Sequence, residues 1–272
     1  MDVAAEARQI GRRADNSEWM DNAVRVGLVS YGVVHLLVAW LALQLALGKS
    51  NGSASNQGAF RQLSSSTLGQ LSLWVVGVGF IALVVWQAME AVWGHRDARG
   101  GKRVFKRFGS AAKVVIYASL AFSALKTAAG GSSGNGGTDG LTSKLIKLPA
   151  GPVIVGVVGL VVVGVAAYLA RSGWKEEFRK KLNGKGQTGK DGSAYVVFGK
   201  VGYIAKGVSL AVVGFLFLYA AFTHDPKKSG GLDQALHKLL DQPFGAPLLV
   251  VIALGFACFG LFCLAWARHL DR

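Results

Sequence analysis

Charge is scarce in this chain. Only 17% of its 272 residues are Asp, Glu, Lys or Arg, where a soluble domain carries about a quarter. With 51% hydrophobic residues in long unbroken runs, that deficit argues against a water-soluble domain and for the membrane class. Proline is nearly absent, at five residues, and none interrupts an apolar run. Pro149, Pro152, Pro243 and Pro247 stand at run entries, where a missing N–H costs a helix least. The broken spans of many secondary transporters are therefore not expected. The two cysteines, Cys258 and Cys263, lie about 140° apart around a helix. They are poorly placed to share a metal or form a bridge and are expected to be packing residues. No HExxH, GxSxG or paired CxxC occurs, so neither enzymatic activity nor a cofactor or metal is expected. Gly184-Lys-Gly-Gln-Thr-Gly189-Lys190 approaches a phosphate loop, but Asp191 stands where Ser or Thr must hold magnesium, and no strand precedes it. A flexible basic linker is expected there instead, with no nucleotide. No signal peptide or lipidation motif is expected, because the first apolar run begins near residue 24 and is long enough to span.

Glycine, by contrast, is plentiful, and it is periodic. Arg25-Val26-Gly27, Arg107-Phe108-Gly109 and Lys200-Val201-Gly202 each open an apolar run. A second glycine, Gly69, Gly151 or Gly245, follows at spacings of 42, 42 and 43 residues and introduces another run. This reads as three tandem units, each a pair of membrane helices. Six spans are expected, over about 24–47, 71–93, 108–128, 152–170, 195–222 and 247–267, each long enough for a hydrocarbon core of about 30 Å. Helix is the only structure of that length that satisfies its own backbone in lipid. The fold class is thus all-α: a polytopic membrane protein of six transmembrane helices, arranged as three tandem hairpins. Short amphipathic outer helices are expected around Ala59–Leu63, Leu141–Leu148 and Leu232–Leu240. The chain divides into an N-terminal segment (1–23), repeat 1 (24–93), a basic linker (94–106), repeat 2 (107–170), a second basic linker (171–194) and repeat 3 with a short tail (195–272).

Lys and Arg alternate sharply between sides. The N-terminal segment, the two basic linkers and the tail, together with the helix-opening Arg25, Arg107 and Lys200, carry 20, and the intervening loops carry eight. By the positive-inside rule the richer side is cytoplasmic, with both termini inside and the plasma membrane as location. The net charge of +15 therefore points to anionic phospholipid headgroups of the inner leaflet rather than to nucleic acid.

The combination of Arg/Lys-x-Gly, a Gly-rich outer loop, a short amphipathic turn and a Pro/Gly-led second helix, best seen in Gln242-Pro243-Phe244-Gly245, resembles the bacterial membrane-protein family catalogued as domain of unknown function 1206. The resemblance covers nearly the whole chain. It implies three two-helix units in a membrane and no assigned chemistry. The middle copy departs from it, with Val114 where the others have Gly32 and Gly207.

Superposing the copies on Gly27, Gly109 and Gly202 aligns Tyr31 with Lys113 and Lys206, and His35 with Tyr117 and Leu210. Lys113 and Lys206 lie about one turn inside their spans. Snorkelling to the interface explains them well. A charged residue within a span is equally a candidate site, here an anion or lipid-headgroup site with Tyr31, Arg25, Arg107 and Lys200. Glu90, the one acid within a span, is expected to pair with Lys113 or Lys206, and with His35 and Tyr117 forms a candidate intramembrane polar network. Two functions follow. The first is a non-enzymatic membrane protein that binds anionic lipid, a membrane-protein partner or both, in an accessory or scaffold role. The alternative is a small channel or carrier for an anion or small solute along a pseudo-threefold axis.

Overall fold

The computed structural model describes residues 18–49, 53–94, 100–131, 150–225 and 228–270. The basic N-terminal stretch up to residue 17 and the expected short helix at Leu141–Leu148 lie outside the described residues. Among the described residues the secondary structure is helical throughout: α1 Glu18–Ala46, α2 Asn56–Ser64, α3 Thr67–Val92, α4 Gly101–Ala128, α5 Gly151–Trp174, a 3-10 turn Glu177–Lys181, α6 Gly184–Gln187, α7 Gly189–Thr223, α8 Leu232–Leu240 and α9 Gly245–Arg268. Six of them, α1, α3, α4, α5, α7 and α9, are long and apolar enough to cross a membrane. This is the all-α, six-span polytopic fold that the apolar runs predict. All six begin before the expected runs, and α5, α7 and α9 also end after them, because backbone hydrogen bonding continues into polar flanks.

The short helices α2 and α8 precede the second spans of repeats 1 and 3. The second repeat glycine explains their placement. A Cβ on Gly69 would run into the carbonyl oxygen of Leu63, and one on Gly245 into those of Leu239 and Leu240. Each glycine lets the chain turn tightly from the short helix into the span. Ser66 completes the first corner by capping α3, its hydroxyl accepting from Gly69 N–H at 3.1 Å.

The fold divides into two compact units, and the division falls inside α1, between Tyr31 and Gly32. The first unit comprises the start of α1 with α3 and α4. Here Gly27 is pressed against the carbonyl oxygen of Gly79 and the side chain of Leu83, with 2.6 Å between that oxygen and an added Cβ. Leu125 of α4 fills the space above Gly77. Gln70 Nε2 donates to the Ala128 carbonyl at 2.9 Å, which fixes the antiparallel register of α3 and α4.

The second unit holds the rest of α1 with α2, α5, α6, α7, α8 and α9. Gly32 and Gly260 make a reciprocal contact between α1 and α9, in which a Cβ on either would lie 2.9 Å from the carbonyl oxygen of the other. Gly207 sits on α5, where an added Cβ would lie 2.9 Å from the Ala166 carbonyl oxygen, and Gly202 sits on α9, where one would lie 2.6 Å from Phe259 Cα. Such backbone approach is what small residues provide in lipid, where helices gain little from hydrophobic burial against one another. The repeat offsets recur. Gly79 lies against Val26 and Ser30, and Gly255 against the matching Val201 and Ala205.

Residues 175–188 differ from the flexible linker expected of their Gly/Lys-rich composition. They fold into the 3-10 turn and α6. Phe178 is buried, with its ring 5.1 Å from Phe262 and 5.3 Å from Tyr203. Leu182, also fully buried, bridges to Leu270, and Asn183 N–H donates to the His269 carbonyl at 2.9 Å. Two apolar residues in a charged stretch anchor it to the end of α9.

Candidate functional site

The glycine contacts of the second unit converge on one turn of α9. Gly202 of α7 meets Phe259, and Gly32 of α1 meets Gly260. About one turn further along each helix stand Lys206 and His35. Their side chains meet: Lys206 Nζ lies 3.1 Å from His35 Nε2. An ammonium has no lone pair, so it donates and Nε2 accepts. The Lys206 ammonium also lies 4.1 Å from the centroid of the Phe259 ring, and the imidazole packs on the same ring at 4.8 Å. His35 is only 5% exposed. The lysine is therefore turned inward, onto a histidine and an aromatic face. A desolvated cation over a ring contributes up to about 2 kcal/mol.

A second cation lies on the same aromatic shelf. Lys181, from the folded linker, sits 4.3 Å from the Trp266 ring and 5.0 Å from that of Tyr203, and donates to the Tyr203 hydroxyl. Tyr203 in turn meets Phe259 edge-on at 5.4 Å. Both lysines act electrostatically on the buried Cys263 thiol, which lies one turn beyond Phe259 on α9. Phe259, Phe262, Cys263 and Trp266 recur at helical spacing along the last span, and that spacing is the signal in the sequence that could have found them. The residues missed there are Phe259, Tyr203, Trp266 and Lys181.

The first unit places the remaining candidates. Tyr31 meets Tyr117 edge-on at 5.6 Å and Phe80 at 6.2 Å, beside the Gly27–Gly79 contact. Lys113 is exposed on α4, and the charge of Glu90 on α3 acts on it. Arg25 is exposed and Arg107 partly buried. Lys200, in the second unit, is held by Glu176 at 3.5 Å and lies over Trp174 at 5.7 Å. The structure thus brings together His35 with Lys206, and Tyr31 with Tyr117. In both contacts the side chain four residues after the opening glycine of one repeat meets the side chain eight residues after that of another.

The ordered linker carries a basic face. Glu177 pairs with Arg171 at 3.4 Å, and Glu176 with Arg179 at 3.0 Å as well as with Lys200. Lys175, Lys180, Lys185 and Arg268 are exposed around it, and Trp174 beside them is 73% exposed.

The chain is similar to "Uncharacterized protein YxxB" of Bacillus subtilis (strain 168), with 28% identity over 261 residues, covering 93% of this chain and 92% of that protein. No solved structure matches it significantly. A family model matches three times in tandem, at residues 26–94, 108–176 and 201–269. With the three glycine-opened hairpins and six apolar helices, those matches place this integral membrane protein in the family described as Domain of Unknown Function (DUF1206).

Proposed function

We propose that the chain is a non-enzymatic protein of the plasma membrane, with both termini in the cytoplasm. In this reading it holds anionic phospholipid headgroups of the inner leaflet on its basic face and serves a membrane-protein partner in an accessory or scaffold role. The observation that carries the reading is the folded linker. Its two glutamates are taken up in pairs with Arg171, Arg179 and Lys200, while Lys175, Lys180 and Lys185 are exposed beside an exposed tryptophan. A rigid basic platform next to an interfacial indole suits an anionic lipid surface. Each basic residue near such a surface contributes about 1 kcal/mol, so three lysines contribute about a hundredfold in affinity. The test is lipid retention by the full-length protein in mixed micelles of phosphatidylglycerol and phosphatidylcholine. Replacing Lys175, Lys180 and Lys185 together by Gln should lower phosphatidylglycerol retention by about that factor, with a weaker dependence on salt. Equal retention by the triple variant would refute the reading. The alternative of a small channel or carrier for an anion or small solute draws support from the buried Lys206–His35 pair.

A further inference from the structure

We propose that Lys206 and His35 form a proton-linked binding site for one small anion, of the class of chloride or another compact monovalent anion. The site is built by three helices: Lys206 from α7, His35 from α1 and Phe259 from α9. Close glycine contacts hold the three helix backbones together, and on that frame the two nitrogens meet at 3.1 Å without help from a mobile loop. With His35 neutral, its Nε2 accepts one ammonium hydrogen and the pair carries a single charge. A proton on His35 removes that acceptor and sets two cations side by side. Both then carry N–H donors, and in a low-dielectric span the two cations repel, so the flexible lysine end swings off the imidazole and the donors of both can bridge one anion. The Phe259 ring and the nearby aromatic shelf make the surroundings apolar, which favours a compact, weakly hydrated anion. Other titratable groups bear on the site: the Cys263 thiol from α9, the Tyr203 hydroxyl from α7, and Lys181 from the linker, which acts on the same thiol. Lys181 adds positive potential and the thiol is a weak donor; neither opposes an anion. The corresponding contact in the first unit joins Tyr31 and Tyr117, two phenols in place of the amine and the imidazole. One anion per chain is therefore expected. This inference is independent of the headgroup reading, because it uses none of the exposed linker lysines.

Linkage fixes the sign. The anion binds the form with His35 protonated, so binding takes up a proton and weakens as pH rises. Where the free site is mainly neutral at His35, the chloride dissociation constant should rise about tenfold per pH unit. The experiment is chloride titration of the full-length protein in a neutral detergent by calorimetry, with gluconate as the background anion. It is run between pH 5 and 8, the window in which histidines change charge, and in two buffers of different ionisation enthalpy. The expected result is one chloride per chain, uptake of about one proton per chloride at the alkaline end, and affinity falling with pH. Lys206→Met should abolish the heat. His35→Asn, which still accepts from Lys206, should remove the pH dependence. Chloride binding that is absent at pH 5, or that is independent of pH in the unmodified protein, would overturn the proposal whether or not either variant folds. Retained binding in a folded Lys206→Met variant would do so too. Loss of phosphatidylglycerol retention in the linker triple variant with chloride binding intact separates this site from the basic face.

Discussion

Replacing Gly32 by Ala tests the claim that glycine contacts set the position of the Lys206–His35 pair. A Cβ added at Gly32 would lie 2.9 Å from the Gly260 carbonyl oxygen and 3.2 Å from Cys263 Cβ and Leu264 Cδ2. The carbonyl belongs to the helix backbone and cannot rotate away. Relief requires α1 and α9 to part by about 0.5 Å to reach ordinary contact. Overpacking of this kind costs about 1–3 kcal/mol. Against it, Ala gains about 1 kcal/mol of helix propensity over Gly. Gly109→Ala gives that gain alone, because nothing lies within 4 Å of a Cβ there. The difference between the two variants isolates the packing term, and Gly32→Ala should be about 1–3 kcal/mol less stable than Gly109→Ala. Parting of about 0.5 Å would also stretch the 3.1 Å contact beyond hydrogen-bond range. The assay is denaturation in mixed micelles followed by circular dichroism, with nitrogen NMR of the imidazole reporting on Nε2. Equal stability of the two variants, or an unchanged His35 signal in Gly32→Ala, would refute the reasoning.

Two further perturbations probe the loops. Asp233 Oδ1 accepts from the N–H of the fully buried Ala54 at 2.6 Å, so Asp233→Ala should cost about 1–3 kcal/mol and speed hydrogen exchange at the Ala54 amide. No change in exchange there would remove this tie between α8 and the chain leading into α2. Lys181→Met keeps the apolar stem and removes the ammonium from Trp266 and Tyr203; a loss of about 1–2 kcal/mol and faster exchange across residues 177–187 are expected, and full protection would show that Phe178 and Leu182 hold the linker without it.

The number and placement of the six long helices were legible in the sequence because a run of about 20 apolar residues has one stable form in lipid. The repeat glycines were legible as period, but their purpose was not. Gly27 and Gly202 each face the second helix of their own hairpin, while Gly32 and Gly207, five residues on, face a helix of another repeat. The order of the 175–188 linker was hidden by its glycines and lysines; Phe178 and Leu182 were the readable signal. Alignment of the copies placed Lys206 with Tyr31 and Lys113, and His35 with Tyr117. It did not show that the first position of one copy meets the second position of another, since a one-dimensional alignment carries no information about which copies are neighbours. Lys181 could not have been assigned to the site at all without the fold of the linker.

Gly32 of repeat 1 seats its helix on the second helix of repeat 3, and Gly207 of repeat 3 seats its helix on the second helix of repeat 2. The first helix of repeat 2 lies on the second helix of repeat 1. Each hairpin thus finds part of its interior in a sister hairpin. A lone hairpin cut from this chain would expose a bare glycine seam to the acyl chains, so the heritable module and the cooperative folding entity are different things. Three such modules supplied as separate polypeptides would have to associate before any of them was complete, and joining them in one chain removes the dilution penalty of that association.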